Sequence, residues 1–517
     1  MGRSYTLHTT RKKKGCSHVT WETKGDMKMV FLDMITHDIL VIILLINVLF
    51  AISLIFFERR SPSATLAWLA VLFFIPVLGF ILYLIFGQTF HREKMFKVKA
   101  ELDKRGKSRL KEQLEELQEY KAGPSDNELD KYLAMAHMLL VNDMALLTEN
   151  NQIQVYTDGN DKFNALLDSI KNAKQHIHIE YYIIRNDDLG HKVVAALAAK
   201  AREGVEVRLI YDGLGCAKLP RKFFKELTDA GGQVAGFFEC KIPVLNIRVN
   251  YKKNYRDHRK IVVIDGTTGF VGGFNIGDEY LGKGPLGYWR DTHLKLNGHA
   301  VGMLQVRFFQ DWSFTAKEVL DFETKYFPKE QDLTGGAAVQ IVSGGPDTQW
   351  EPIKKGFIAL INSATETIYI QSPYFVLEES VMEALKIAAL TGVDVRVMIP
   401  CKPDHPFVYW TTYANIGELL DVGARAYTYD NGFIHSKTVV VDGLASSVGT
   451  ANWDVRSFRL NFETNAFIYD REIAAVLKTA FENDINQSTE IRKQLYSERS
   501  TRVKIKESIS RLFSAAL

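Results

Sequence analysis

The chain has 517 residues, 46% of them apolar, so it can bury several cores and hold two to four domains. Its 64 lysines and arginines stand against 61 aspartates and glutamates, a formal charge of only +3, which excludes a protein built chiefly to coat nucleic acid. The four cysteines, Cys16, Cys216, Cys240 and Cys401, are far apart and form no C-x-x-C pair, which argues against a disulfide framework or a zinc site and fits a reducing compartment.

Residues 1–38 read as a polar, irregular extension. Ile39 to Phe57 then runs 19 residues without a charge, and Thr65 to Phe86 runs 22 more with Pro76 and Gly79 inside. About 20 apolar residues span a bilayer core of about 30 Å. The pattern therefore predicts a transmembrane hairpin over 39–87, with spans 39–57 and 65–86. Two basic residues precede it (Lys24, Lys28) and six follow (Arg92, Lys94, Lys97, Lys99, Lys104, Arg105), while the loop carries Arg59 and Arg60. Eight against two predicts both ends, and the bulk of the chain, on the cytoplasmic side of the cell membrane. Residues 88–150 read as a charged helical linker, broken at Ala122-Gly123-Pro124-Ser125.

From about residue 151, strand-like and helix-like segments alternate, which predicts α/β layers. His176–Ile184, Gly204–Asp212, Thr367–Val376 and Gly392–Pro400 are strand-like, with amphipathic segments at Phe163–Ala173 and Phe357–Ala364. These segments recur. GVEVR at 204 matches GVDVR at 392, and the Lys-Asn-Ala ending at Ala173 matches the Asn-Ser-Ala ending at Ala364. The soluble part is thus expected to be a duplication, repeat 1 over 151–340 and repeat 2 over 341–517.

Each repeat carries one H-x-K-x4-D motif: His258, Lys260 and Asp265, then His435, Lys437 and Asp442. Asn275 and Asn452 each follow their histidine by 17 residues. A chain of this length should show H, K, D and this N in register only about 0.003 times by chance. Histidine and lysine two apart on a strand face the same side, so a nucleophile or acid and a cation can address one phosphorus, with the asparagines as neutral donors.

The duplicated motif resembles the phospholipase D superfamily, and the rest of the chain resembles its bacterial cardiolipin synthase branch. The resemblance rests on the apolar stretch RRSPSATLAWLAVLFFIPVLGFILYLIFG, on GGFNIGDEYLG with YWRDTHLKLNG, and on GTANWDVRSFRLNFE, and covers residue 59 to the C-terminus. Where the first copy has Gly273 the second has Thr450. The resemblance implies an α/β fold of two similar halves, each a sheet flanked by helices, sharing one composite active site behind the transmembrane hairpin. It implies phosphatidyl transfer between two phosphatidylglycerol molecules, giving cardiolipin and glycerol through a phosphatidyl-histidine, with His258 as nucleophile and His435 as acid and base. Lys260 and Lys437 would neutralise the transition state, with Asn275 and Asn452 donating to it, and no metal or other cofactor is implied. Asp291 and Glu463 are expected to orient the imidazoles, and Asp265 and Asp442 to fix local structure. Glu180, Tyr181, Gln371, Tyr374 and Arg456 are candidates for headgroup contact.

The expected partners are phosphatidylglycerol and anionic membrane lipids, not nucleic acid, with a homo-oligomer left open. Hydrolysis through the same intermediate is the alternative reaction. A catalytically dead, membrane-anchored lipid-binding protein is the alternative of another class. Arg502–Leu517 has the pattern of an amphipathic helix, suited either to docking on the catalytic region or to lying on a membrane surface.

Overall fold

The computed structural model describes residues 23–56, 62–86, 113, 128–242, 247–250, 255–328, 335–348 and 350–512. Most of the expected linker helix lies outside these residues. The chain divides into two units, 1–89 and 90–517.

In the first unit, helix α1 (Thr23–Phe56) begins well before the apolar run, so part of the expected irregular extension is helical. Its segment Asp38–Phe56 is, among the described residues, the one helix long and apolar enough to cross a bilayer. The second run forms two shorter helices, α2 (Pro62–Phe74) and α3 (Pro76–Phe86). The break at Ile75 has a plain cause. Pro76 has no N–H to give the carbonyl of Leu72, and its ring crowds the preceding turn. Asn47 on α1 supplies the missing donor, its Nδ2 reaching Leu72 O at 3.3 Å and Pro76 O at 3.0 Å. The turn is tight: a Cβ on Gly79 would lie 2.6 Å from Val71 O, so only glycine fits. Phe50 and Tyr83, with ring centroids 4.6 Å apart, pack α1 on α3.

The second unit is built on one long sheet whose strand order mirrors about its middle. From one edge inward run the strands Gln233–Phe237, Glu206–Asp212, His176–Tyr181, Lys260–Ile264, Thr268–Gly272, His293–Asn297 and Leu147–Tyr156. The last pairs antiparallel with Ala337–Gly344, which opens the second half. There follow Asn461–Tyr469, Ala445–Gly449, Thr438–Val441, Thr367–Gln371, Asp394–Pro400 and Arg425–Tyr429. The order is the same, read outward, with Ser488–Glu490 added at the far edge. The duplication read from the sequence is therefore a fold duplication. The motif strands IVVI and TVVV are central and buried on both faces, which explains their unbroken apolar runs.

Each half buries its own core under flanking helices, Gly159–Asn172 and Asp188–Arg202 in the first, Pro352–Ser363 and Glu379–Leu390 in the second. A third core, with Ile261, Leu294, Val339, Val440 and Ala466, draws on both halves and fuses them. The helix Leu133–Asp143 already packs into the second-half core, so residues from Glu128 onward belong to this unit rather than to a linker.

Candidate active site

Each motif histidine sits just before its central strand, on a short ribbon that pairs with the opposite half. Arg256–Asp257 pairs in parallel with Asn461–Phe462, and His258 N donates to Phe462 O at 2.9 Å. Trp289–Arg290 pairs in parallel with Phe433–Ile434, and His435 N donates to Arg290 O at 2.7 Å. The two halves thus hold one another's histidines by main-chain hydrogen bonds, on either side of one cleft.

The carboxylates follow the same crossing. His258 Nδ1 contacts Glu463 Oε2 at 2.8 Å, and His435 Nδ1 contacts Asp291 Oδ2 at 2.5 Å. Chain order suggests that each motif brings its own orienting carboxylate, but the structure exchanges them between halves. A partner on Nδ1 selects the tautomer whose Nε2 carries the lone pair. The difference between Gly273 and Thr450 is explained here. A Cβ at Gly273 would lie 2.0 Å from Asp291 Oδ1, whereas Thr450 Oγ1 donates to the longer Glu463 at 2.6 Å.

Lys260 and Lys437 are fully buried, and each ammonium donates to the carbonyl of its own motif histidine, Lys260 at 2.7 Å. Burial, opposed by Glu463 and reinforced by Lys437, brings Lys260 down to about 7; burial, opposed chiefly by Asp291, brings Lys437 down to about 8. Burial and the two lysines hold His258 well below its usual value, and burial with Lys437 brings His435 to about 4. The two carboxylates differ. Burial lifts Glu463 to about 7, Lys260 notwithstanding. Burial would lift Asp291 too, but Lys437 and His435 more than offset it and hold it below its ordinary value. Cations crowded together in a dry cleft are poised for an anion that restores their charge.

Asn275 and Asn452 are buried, 3% and 4% exposed. Asn275 Nδ2 donates to Tyr280 Oη at 2.7 Å, and that oxygen is 3.4 Å from His435 Nδ1. Asp265 and Asp442 stand outside the cleft. Both adopt left-handed backbone, and each carboxylate gathers three successive backbone N–H groups, of Lys174–His176 and of Thr365–Thr367.

The headgroup candidates separate. Glu180 and Gln371 occupy equivalent places on the strands His176–Tyr181 and Thr367–Gln371, wholly buried behind the motif strands. Gln371 Nε2 donates to Asp484 at 2.7 Å, and burial beside Asp257 and Asp311 pushes the Glu180 carboxyl well up. Tyr181 accepts from the buried Lys162 at 2.7 Å. These three face the interior, because alternate residues of a strand covered on both sides have no route to solvent. Tyr374, hydrogen-bonded to Asp404, and Arg456, near Arg256 and Tyr182, are partly open and remain beside the cleft.

Several contributors escape the motif reading. Tyr182 rests its ring 4.6 Å from that of His258, and Trp289 5.3 Å from that of His435. Arg259, between His258 and Lys260, ties the first motif to Asp311 at 2.8 Å and to Thr464 at 3.0 Å. Tyr280 carried a faint signal, since it stands five after Asn275 as Ser457 stands five after Asn452, and Asn452 N donates to Ser457 Oγ.

Two histidines, each paired to a carboxylate of the opposite half across one lysine-lined cleft, define a phospholipase D-type site. The family profile described as "Cardiolipin synthase, PLD-like domain" matches residues 166–283 and 357–485, and "Phospholipase_D-nuclease N-terminal" matches 39–88. The chain is 49% identical over 481 residues to a cardiolipin synthase of Listeria monocytogenes, covering 93% of this chain and 99% of that protein. It is 48% identical over 488 residues to a cardiolipin synthase of Staphylococcus aureus, covering 94% and 98%. Among solved structures, a phosphatidylserine synthase of Haemophilus influenzae shares the fold, with a TM-score of 0.55 at 15% identity over 74% of this chain and 98% of that one. The chain belongs to the cardiolipin synthase family, a phosphatidyltransferase branch of the phospholipase D superfamily.

Proposed function

We propose that this chain transfers a phosphatidyl group from one phosphatidylglycerol to the glycerol hydroxyl of another, releasing glycerol. His258 Nε2 attacks phosphorus and the P–O bond to the headgroup glycerol breaks, the departing oxygen taking its proton from His435. The hydroxyl of the second lipid then gives its proton to His435 and attacks phosphorus, and the P–N bond breaks to restore His258. The crossed histidine–carboxylate pairs carry this reading, since one site of two unlike dyads suits a nucleophile and a proton carrier. Their inequality supports the division of roles. Asp291, held ionised, favours a proton on His435 against the burial and Lys437 that depress it, while Glu463, raised to about 7, gives His258 a weaker anionic partner and leaves it an uncharged nucleophile.

Purified protein with phosphatidylglycerol vesicles should yield cardiolipin and glycerol in equal amounts, unaffected by chelator. Phosphatidic acid as the main product would instead make it a hydrolase. Wild-type protein quenched in neutral denaturant while turning over phosphorus-labelled phosphatidylglycerol should carry label on the peptide that holds His258, and label on the other motif peptide would reverse the roles.

For the membrane unit we propose that α1 and the α2–α3 pair each cross, leaving both ends cytoplasmic, as the basic residues favour. The sharp turn at Ile75 favours a second reading, in which α2 and α3, of 13 and 11 residues, dip in and return on one side. An N-terminal tag protected from external protease in intact cells supports the first, and a cleaved tag the second.

A further inference from the structure

The C-terminal helix Thr501–Leu512 packs on the helix Pro406–Asp421 through its polar side. Glu507 and Ser510 are 4% and 2% exposed. Arg499 Nε and Nη2 each donate to Glu507 at 2.8 Å, and Tyr496 Oη donates at 3.3 Å. A helix so seated turns its other side outward. Ile505 and Ile509, four apart and so stacked on one face, are 52% and 47% exposed.

Arg502, Lys504, Lys506 and Arg511 are also exposed, while Glu507, the only acidic residue of the helix, is spent inward. The outward side is therefore an apolar stripe flanked by basic residues, of which Arg511 pairs with Glu418 of the neighbouring helix at 3.5 Å. The surface continues onto the neighbouring helix. Lys506 Nζ lies 4.8 Å from the centroid of the Trp410 ring, and Phe407, one turn earlier, is 56% exposed. That end of the helix adjoins the cleft, because Asp404 just before it accepts from Tyr374 and its charge acts on Lys437.

We propose that this face, formed by Ile505 and Ile509 with their basic flanks and by Phe407 and Trp410, docks on an anionic lipid surface. Charge complementarity selects the occupant. Isoleucines enter the headgroup boundary while lysines and arginines meet lipid phosphates, and aromatic side chains sit at the interface. A second copy of the chain would bring the same positive face against itself. The inference is independent of which acceptor the cleft uses, and it goes beyond the anchoring assigned to residues 23–86. The catalytic unit gains its own contact with the bilayer, on the helix that follows Asp404, whose charge acts on Lys437.

The test uses the full chain with Cys16, Cys240 and Cys401 replaced by serine, the buried Cys216 retained, and a single new cysteine from Ile509→Cys. A polarity-sensitive fluorophore on it is read in vesicles of phosphatidylcholine alone or with a third phosphatidylglycerol. Lys225→Cys, on an exposed side chain of the first half, serves as reference. Emission from position 509 should shift to the blue and be quenched by lipid-borne nitroxides, more strongly in the anionic vesicles. Lys504→Gln and Lys506→Gln should each lower the docked-to-undocked ratio about fivefold. Quenching no greater than at position 225 overturns the proposal. So does a blue shift indifferent to lipid charge but rising with protein density, which would mark contact between copies.

Discussion

At the level of single residues, the two histidine dyads invite unequal perturbation. Asp291→Asn removes an ionised partner from His435 and should lower kcat by about 100-fold or more, the usual worth of a general acid–base. Glu463→Gln replaces a carboxyl already raised to about 7 and should cost markedly less, so turnover with phosphatidylglycerol ranks the two variants. Equal losses would contradict the assignment of roles. Gly273→Ala should damage the site as much as Asp291→Asn, because the new methyl takes the space of the Asp291 carboxylate. The candidate histidines, lysines and asparagines stand out in the sequence because their spacing repeats. The exchange of Asp291 and Glu463 does not, because separation along the chain says nothing about which half faces which. The burial of Glu180 and Gln371 was not legible for a related reason, since a strand-end polar residue does not show in the sequence that both faces of its sheet are covered.

At the level of elements, the break in the second apolar run is a local matter of one missing N–H. Asn47→Ala removes the donors that reach Leu72 and Pro76 and should destabilise the three-helix unit by about 1 kcal/mol. The loss should shrink in a Pro76→Ala background, where the helix supplies its own donor to Leu72. Thermal unfolding in micelles, run as a double-mutant cycle, measures that coupling. Pro76 was visible in the sequence, yet hydropathy counts composition and not continuity, so a 22-residue apolar run read as one helix. The motif strands were easier. Strands buried on both faces must be apolar throughout, and IVVI and TVVV are. The C-terminal helix had a readable pattern but no readable orientation, since its inward face was fixed by Arg499 and Tyr496 rather than by its own apolar residues.

At the level of the whole molecule, the cleft holds more cationic capacity than it can keep charged when empty. Lys260 at about 7 and Lys437 at about 8 are partly neutral at pH 8, and a bound anion should return them to the charged state. Calorimetry of tungstate binding in buffers of different ionisation enthalpy should then show proton uptake at pH 8, reduced by Lys260→Met and by Lys437→Met. The same depression sets the sign of a stability effect. The folded state binds fewer protons than the unfolded one between these values and the ordinary lysine range, so Lys260 and Lys437 make stability rise as pH climbs through that window. Lys260→Met should flatten that rise, as read from denaturant midpoints across pH. The duplicated fold itself was legible from recurring segments, but the mirrored strand order that sets the halves face to face was not.

The crossed ribbons also impose a timetable on the chain's birth. His258 meets its carboxylate only when Glu463, 205 residues later, has been made and folded into place. At common rates of synthesis that is a wait of roughly 10–40 s. During it the first half has a histidine and a lysine but no oriented dyad, so the growing chain should be chemically inert toward the lipids around it.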